Sequence, residues 1–251
     1  MEETTKKIDI FWTGGLDSTF RLIQLLATTA DLVQPHYIVR HEHSTGIEID
    51  TMIQIRRILV RKFPEVRSRF LPTVYINEDL IQNYKDIDEE IEELRKIAKV
   101  RDQYQIMSSY CREFNIDQIE VSFTNETLRT LEEIGFYEQF KNATSFKSFT
   151  YPIIELTKKE LFKYAKINDW DELLFMTSFC RRPKKKKISP CGVCGPCVDA
   201  VAMGMGFRFP LKSYIKAKLQ YPFRQYWRKN YLKQNENKIF KLIKRELEGR
   251  L

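Results

Sequence analysis

One segment near the N-terminus sets the architecture of the chain: Ile8-Asp9-Ile10-Phe11-Trp12-Thr13-Gly14-Gly15-Leu16-Asp17-Ser18-Thr19. Ile8, Ile10 and Trp12 alternate with other residues, as the side chains on one face of a strand do. Apolar residues then recur at helical spacing from Phe20 to Leu26. A loop between a strand and a helix aims backbone N–H groups at an anion, and glycines let that backbone approach phosphate oxygens. The segment therefore predicts a strand, a glycine loop suited to phosphate, and a helix.

The alternation of strand and helix continues beyond this loop. A second strand is predicted at Tyr37-Ile38-Val39, a helix follows from Ile49 to Leu59, and a third strand is predicted from Thr73 to Ile76. A buried strand from Gln118 to Ser122 comes later. The order β-α-β-α-β is typical of a parallel sheet with helices on both faces. We therefore predict an α/β fold with a doubly wound parallel sheet, and an exposed or lid-like helical insert at 80–100.

The glycine loop differs from the two commonest nucleotide-binding loops. It lacks the lysine of Gly-x-x-x-x-Gly-Lys-[Ser/Thr], and it does not match Gly-x-Gly-x-x-Gly. Thr13, Ser18 and Thr19 add hydroxyl donors, whereas Asp17 is an unusual neighbour for phosphate unless it holds a magnesium ion or caps the loop. From these residues alone, a phosphate site and a tight connection between strand and helix remain open alternatives.

Four of the five cysteines lie close together, at Cys180, Cys191, Cys194 and Cys197. A Cys-x-x-Cys pair offers two thiolates to one ion from a single turn, and the glycines and prolines between these sulfurs are turn residues. We predict a structural zinc site on the four sulfurs, with an iron–sulfur cluster on the same ligands as the main alternative. The fifth, Cys111, falls in an apolar helical pattern and is predicted to belong to the core.

Charge is distributed unevenly along the 251 residues, of which 43% are hydrophobic. Residues 1–180 hold 23 basic and 30 acidic side chains, whereas residues 181–251 hold 19 basic and 4 acidic ones. A surplus this large exceeds what solubility requires and favours an anionic partner for the C-terminal quarter, either a nucleic acid or an acidic protein. The aromatic residues of that quarter are expected to pack on the body, and Ile239 to Leu247 have the spacing of an amphipathic helix.

Localisation follows from what the sequence lacks. No apolar run approaches the roughly 20 residues that a transmembrane helix needs. The N-terminus begins with polar residues and does not match a secretory signal. We therefore expect a cytoplasmic protein with no membrane partner.

Several motifs spread along residues 8–205 together resemble one family. Thr13 to Thr19 resembles the Ser-Gly-Gly-x-Asp-Ser-[Thr/Ser] signature of the PP-loop ATP pyrophosphatases, and the chain is most similar to the 7-cyano-7-deazaguanine synthases (the QueC type) within that superfamily. The segments that carry the closer similarity, in the order of the family, are Tyr37 to Glu48 with Arg40-His41, Arg101-Asp102, Leu156 to Leu161 after Pro152, Thr177 to Cys180, and Cys191 to Cys197.

The chain also departs from the pattern of that family. Thr13 replaces a serine, Asp102 replaces an asparagine, and the segment between Cys180 and Cys191 is longer and carries Lys184–Lys187. The residues from Glu120 to Asn125 stand where the family has a glycine and a substrate-facing acidic residue. These departures keep the residues expected to bind the nucleotide and change residues expected to line the deazapurine pocket.

The resemblance implies a fold and a set of site residues. It implies a sheet of the adenine nucleotide alpha hydrolase-like (HUP) type, with an ATP-binding domain at 1–176, a four-cysteine zinc module at 177–205 and a basic, aromatic helical extension at 206–251. The ATP-binding residues implied are Thr13, Gly14, Gly15, Leu16, Asp17, Ser18, Thr19, Arg40 and His41. The catalytic residues implied are Asp17, Ser18, Lys158 and Arg101, and the zinc ligands are Cys180, Cys191, Cys194 and Cys197. A homodimer is also expected.

The resemblance further implies an activity. A deazapurine carboxylate, 7-carboxy-7-deazaguanine or a relative, attacks ATP with the help of magnesium and releases pyrophosphate. The acyl-adenylate then reacts with ammonia, and a second activation gives a nitrile. The alternatives are a PP-loop enzyme that modifies tRNA, DNA or protein, such as a tRNA thiolase or a lysidine-type synthetase, and a nucleotide-binding module without catalysis. The intact Asp17-Ser18 pair argues against the last alternative.

Overall fold

The computed structural model describes residues 5–182 and 189–226. Within them, five strands form one sheet in the order β3-β2-β1-β4-β5, and every neighbouring pair is parallel. The strands are β1 (Lys7–Phe11), β2 (Leu32–Val39), β3 (Val74–Asn77), β4 (Ile119–Glu120) and β5 (Phe149–Thr150). The predicted α/β fold with a parallel sheet is confirmed. The sequence analysis did not predict β5, because two residues are too few to show an alternating pattern.

Helices connect these strands. They are α1 (Leu16–Thr28), α2 (Thr45–Lys62), α3 (Lys85–Ile97), α4 (Asp102–Glu113), α5 (Asn125–Glu133), α6 (Tyr137–Asn142), α7 (Lys158–Ile167), α8 (Asp171–Phe175), α9 (Gly195–Ala202) and α10, which occupies residues 211–226. Single turns of 3₁₀ helix lie at Pro64–Val66, Glu78–Leu80, Thr144–Phe146 and Gly206–Arg208. Two helices, α5 and α6, follow one another after β4 because Gly135, with a φ of +64°, ends the first.

The two faces of the sheet carry separate cores. One face packs against α1, α2, α7, α8 and α9, whose buried residues join those of β1 and β2. The other face packs against α3, α4 and α6. In α3, Ile87, Ile91 and Leu94 are buried in this second core, so the acidic segment at 80–100 forms part of a helical layer instead of a lid.

The topology brings two loops together at one edge of the sheet. The chain builds β1, β2 and β3 outward in one direction, then crosses to the other side of β1 for β4 and β5. The order of strands therefore reverses between β1 and β4. Ligands of open parallel sheets bind at the carboxyl ends of the strands where such a reversal occurs. The glycine loop after β1 and residues 121–124 after β4 lie at this point.

The C-terminal part of the described chain packs on the four-cysteine segment. A Cβ on Gly192 would overlap the backbone carbonyl of Ser213 in α10, and Arg224 of α10 forms an ion pair with Asp199 of α9. Lys184–Lys187 and the helical pattern from Ile239 to Leu247 lie outside the described residues. Among the helices that the structure describes, none combines the length and the apolar composition needed to cross a bilayer.

Candidate functional site

The glycine loop adopts a backbone that only glycine accommodates. Gly14 has a φ of +66°, and a Cβ at this position would meet the carbonyl oxygen of Glu48 and the side chain of Met52 at 3.2 Å. Ser18 Oγ accepts a hydrogen bond from the backbone N–H of Thr13 at 3.4 Å, which closes the loop on itself. Gly15 precedes α1 and has no side chain, so it makes no side-chain cap to the first N–H groups of the helix.

Thr19 has a structural part in this loop. Its side chain is fully buried, and Thr19 Oγ1 accepts a hydrogen bond from Trp12 Nε1 at 3.0 Å. The indole of Trp12 in turn packs on Phe70, with ring centroids 5.7 Å apart. The Thr19 hydroxyl, which the sequence analysis predicted to donate to phosphate, instead binds Trp12 and fixes the loop to the core.

Asp17 and Lys158 meet beside the loop. Lys158 Nζ lies 3.2 Å from Asp17 Oδ2, whereas Asp17 Oδ1 is buried and has no hydrogen-bond partner among the residues that the structure describes. Burial raises the pKa of the Asp17 carboxyl above its ordinary value, and the attraction of Lys158 offsets this only in part. The side chain thus presents one paired and one unpaired oxygen, an arrangement suited to a cation.

A second carboxylate, that of Glu126 in α5, lies close to the same two residues. Glu126 Oε1 accepts a hydrogen bond from the backbone N–H of Lys158 at 3.0 Å, and its negative charge contributes to raising the pKa of Asp17. Glu126 Oε2 is buried and finds no hydrogen-bond partner in the described part of the chain. Two carboxylates that repel one another are therefore held together, each with one oxygen unpaired.

Unpaired polar atoms concentrate at this edge of the sheet. Of nine buried side-chain nitrogen and oxygen atoms without a hydrogen-bond partner among the described residues, six belong to residues that follow β1, β4 or β5. They are Asp17 Oδ1, Ser122 Oγ, Thr124 Oγ1, Asn125 Oδ1, Glu126 Oε2 and Tyr151 OH. Each such group costs about 1–3 kcal/mol when it stays unpaired. Their concentration indicates where a bound polar ligand or cation would supply the missing partners.

The four predicted metal ligands come together. Cys180 Sγ lies 3.9 Å from Cys194 Sγ, Cys191 Sγ lies 3.9 Å from Cys197 Sγ, and all four sulfurs are within 4.8 Å of one another. Tetrahedral zinc with bonds of about 2.3 Å requires sulfurs about 3.8 Å apart. The thiolates of a [4Fe–4S] cluster bind four different irons and must stand farther apart. The cysteines therefore fit a single metal ion such as zinc.

Backbone N–H groups support these sulfurs. The N–H of Cys191 donates to Cys180 Sγ at 3.3 Å, and the N–H groups of Val193 and Cys194 both donate to Cys191 Sγ at 3.4 Å. Hydrogen bonds of this kind orient the ligands of a metal site and favour their thiolate form. The turns containing glycine and proline thus supply the outer contacts of the site as well as its ligands.

The cysteine segment is tied directly to the glycine loop. The N–H of Ser178 donates to the carbonyl oxygen of Gly14 at 3.0 Å, only two residues before Cys180. Thr177 is held from the other side by Arg208, whose Nη2 donates to the Thr177 carbonyl at 2.6 Å. A cavity of about 170 Å³ lies beside this segment, lined by Phe175, Thr177, Ser178, Phe179, Cys180, Pro190 and Arg208. One backbone hydrogen bond, from Ser178 to Gly14, thus connects the cysteine segment to the glycine loop.

Other residues assigned from the sequence have different partners. Arg40 Nε lies 3.1 Å from Glu78 Oε2, and His41 Nε2 lies 2.7 Å from Asp79 Oδ2. Both side chains thus bind the 3₁₀ turn that follows β3. Arg101 is exposed at the start of α4, at the same edge of the sheet, but it makes no hydrogen bond or ion pair with the glycine loop in the described part of the chain. The structure brings Lys158 to the loop and leaves these three outside its contacts.

Sequence reasoning missed Glu126, and it noted Ser122, Thr124 and Asn125 only as departures from a family pattern. Their position in the sequence could have indicated the site, because these polar residues directly follow a buried strand, β4. The carboxyl end of β4 lies next to that of β1. Tyr151 could not be predicted as a site residue, because it follows the strand that was not predicted.

Comparison with models of known protein families and with curated proteins finds no match for this chain.

Proposed function

We propose that the chain is an ATP-dependent carbon–nitrogen ligase of the 7-cyano-7-deazaguanine synthase type, with the HUP-type fold of the PP-loop ATP pyrophosphatases. The observation that carries the proposal is the group of Asp17, Glu126 and Lys158, with its unpaired oxygens, beside the uncapped start of α1. This group lies where the strand order reverses, which is the nucleotide site of doubly wound sheets. The match of residues 13–19 to the PP-loop signature supports the same assignment.

The residues of the site suit the activation of a carboxylate by ATP. The N–H groups at the start of α1 and the backbone of Gly14 and Gly15 bind the phosphates. Asp17 and Glu126 would hold magnesium, which neutralises charge on the departing pyrophosphate when it is bound. Lys158 stabilises negative charge that develops on the phosphates during attack by the carboxylate. Ammonia then displaces AMP from the acyl-adenylate, and a second activation converts the amide to a nitrile.

The metal site serves structure in this proposal. Four sulfurs fill the coordination of a tetrahedral ion and leave no open position for substrate or water, unlike catalytic zinc. The ion would hold residues 177–180 against Gly14, and so keep the loop in a binding conformation.

The test is a reaction of purified protein with ATP, magnesium, ammonia and 7-carboxy-7-deazaguanine, with products identified by mass spectrometry. We expect AMP, pyrophosphate and the amide or nitrile. Asp17→Asn should abolish AMP formation and leave the circular dichroism spectrum unchanged, whereas Asp50→Asn in the exposed part of α2 should behave as wild type. Turnover by Asp17→Asn at the wild-type rate would contradict the assignment of the loop.

A second candidate is a PP-loop enzyme that modifies a macromolecule, such as a tRNA thiolase or a QueC-like enzyme acting on nucleic acid or protein. The specific observation in its favour is that residues 181–251 contain 19 basic residues and only 4 acidic ones. If AMP forms only after tRNA, DNA or a protein extract is added, this second candidate replaces the small-molecule ligase. A cytoplasmic location remains a prediction from the sequence.

A further inference from the structure

Helix α10 packs on the segment that carries the metal ligands. A Cβ on Gly192, which lies between two of the cysteines, would overlap the carbonyl of Ser213 in the first turn of α10. A Cβ on Gly206, in the turn after α9, would overlap the ring of Tyr214. Ala217, in the middle of the helix, is fully buried. The first half of α10 therefore lies in close contact with the metal segment.

Near its other end, α10 reaches the same segment through the side chain of Arg224. A Cβ on Gly195 would lie 3.0–3.1 Å from three atoms of the Arg224 guanidinium, which are Nη1, Cζ and Nη2. This group thus covers Gly195, the first residue of α9, and fills the space that a side chain would take there. The residue just before Gly195 is Cys194, one of the four predicted ligands.

Asp199 of α9 holds the guanidinium in this place. Arg224 Nε donates to Asp199 Oδ1 at 2.5 Å, and Arg224 Nη2 donates to Asp199 Oδ2, so the two planar groups form a bidentate pair. The side chains of Arg224 and Asp199 remain 45% and 40% exposed, and an ion pair this exposed contributes little to the stability of a fold. Its bidentate geometry instead fixes the orientation of the cation over Gly195.

The charge of the metal site gives this orientation a consequence. Four thiolates on one divalent ion leave two net negative charges. The guanidinium of Arg224 lies close enough to Cys194 for its charge and that of a thiolate to attract each other. A cation beside a sulfur favours the thiolate over the thiol, and only the thiolate is a metal ligand. The positive charge of Arg224 should therefore favour the form of the site that holds its ion.

We propose that Arg224, oriented by Asp199, is a cationic outer contact of the metal site that slows the loss of the ion. It is a positioning residue, because it stabilises the ligand Cys194 and makes no bond to the metal. The backbone N–H groups that donate to the sulfurs act in the same way but carry no full charge. The inference requires that the four cysteines hold a metal ion, and it is independent of the proposed ligase activity.

The experiment measures how fast the full chain, loaded with zinc, loses its ion to an excess of a chromogenic chelator. Arg224→Gln removes the charge and should speed the loss about tenfold or more, as changes to the outer contacts of metal sites do. Arg224→Lys keeps the charge but cannot form the bidentate pair, so its rate should lie between those two. Lys216→Gln removes an exposed cation of the same helix and is the matched control, with the rate of wild type.

Gly195→Ala tests the position of the cation without changing any charge. The added methyl group would displace the guanidinium, whereas the backbone at Gly195 is outside the left-handed region and accepts alanine. Metal loss should therefore accelerate as in Arg224→Gln. The double variant should be no faster than Arg224→Gln alone, because both changes remove the same contact. High salt should narrow the difference between wild type and Arg224→Gln, since salt screens the attraction between exposed charges.

Several results would overturn the proposal. Equal rates of metal loss in wild type and Arg224→Gln would do so, as would a wild-type chain that binds no zinc. Equal acceleration in Arg224→Gln and Lys216→Gln would assign the effect to the overall charge of α10. Faster hydrogen exchange in α10 of zinc-loaded Arg224→Gln than of wild type would assign it to undocking of the helix. The measurement needs no catalytic turnover, so a failure of the proposed function would not affect it.

Discussion

Lys158 Nζ lies 3.2 Å from Asp17 Oδ2 and joins the first residue of α7 to the start of α1. The position of the lysine is set by the sequence just before it. Thr157 caps α7 by accepting a hydrogen bond from the N–H of Glu160, and the Glu160 side chain accepts one from the N–H of Thr157. This capping box fixes where the helix begins, and therefore places Lys158 at the glycine loop.

Replacing Lys158 tests whether this ion pair serves catalysis. Lys158→Met removes the only cation within contact distance of Asp17 among the described residues, so AMP formation should fall about 100-fold. Lys159→Met, at the exposed next position, should leave the rate unchanged. Steady-state release of AMP checks both variants, and equal rates for the two would show that Lys158 has no role in the reaction.

Glu126 is expected to set the requirement for magnesium. Glu126→Gln keeps an oxygen that can accept the N–H of Lys158 but removes the second negative charge beside Asp17. The magnesium concentration for half-maximal AMP formation should therefore rise, while the melting temperature stays the same or increases, since an unpaired buried oxygen loses its charge. Glu132→Gln, exposed in the same helix, is the control. An unchanged magnesium dependence in Glu126→Gln would count against a shared cation site.

The four-cysteine cluster should contain one metal ion per chain. Cys194→Ser should lower the metal content measured by mass spectrometry and reduce the free energy of unfolding by several kcal/mol, because binding of a structural ion contributes directly to folding. Cys111→Ala changes a buried cysteine in the second core and should keep the full metal content. Full metal occupancy in Cys194→Ser would remove that residue from the ligand set.

Asp9 is expected to make the free energy of unfolding decrease at acid pH. Burial favours its protonated form, but hydrogen bonds from His36 Nε2 at 2.7 Å and from Lys7 outweigh burial and lower the Asp9 pKa below its ordinary value of 3.8. The stabilisation from ionised Asp9 is therefore complete above pH 3.8 and is lost as pH falls through the lower value of the folded state. Urea unfolding across this pH range should show that the free energy of unfolding of the wild type falls steeply as the pH decreases. The fall should be smaller in Asp9→Asn. Identical slopes for the two proteins would contradict this assignment.

The sequence predicted those parts of the site that have a local signature. The loop at residues 13–19 and the four cysteines each form a short motif whose spacing implies a geometry, and in the structure the loop is closed and the sulfurs meet. Glu126 and Tyr151 reach the site through strand order, a long-range property that no local pattern encodes. The same limit applies to β5, whose two residues are a strand only because β4 pairs with them.

Gly192 offers the sharpest test of how α10 is fixed to the metal module. It has a φ of +76°, and a Cβ would overlap the carbonyl of Ser213 in α10. Gly192→Ala should therefore cost about 1–3 kcal/mol for the backbone alone, and more for the displaced helix. Gly46→Ala, in α2 with no atom of the described residues within 4 Å of the added Cβ, should instead be neutral or stabilise the protein by up to about 1 kcal/mol. Urea unfolding compares the two variants.

Gly192→Ala also tests whether the packing of α10 affects the glycine loop through the metal site. If α10 holds the cysteine turn, and the turn holds residues 177–180 against Gly14, then Gly192→Ala should weaken both metal retention and nucleotide binding. Retention of metal during dialysis against a chelator measures the first effect, and binding of a non-hydrolysable ATP analogue measures the second. If Gly192→Ala loses metal but binds the ATP analogue with unchanged affinity, the hydrogen bond between Ser178 and Gly14 does not control the conformation of the glycine loop. The four-cysteine segment could then change its structure without changing that of the loop.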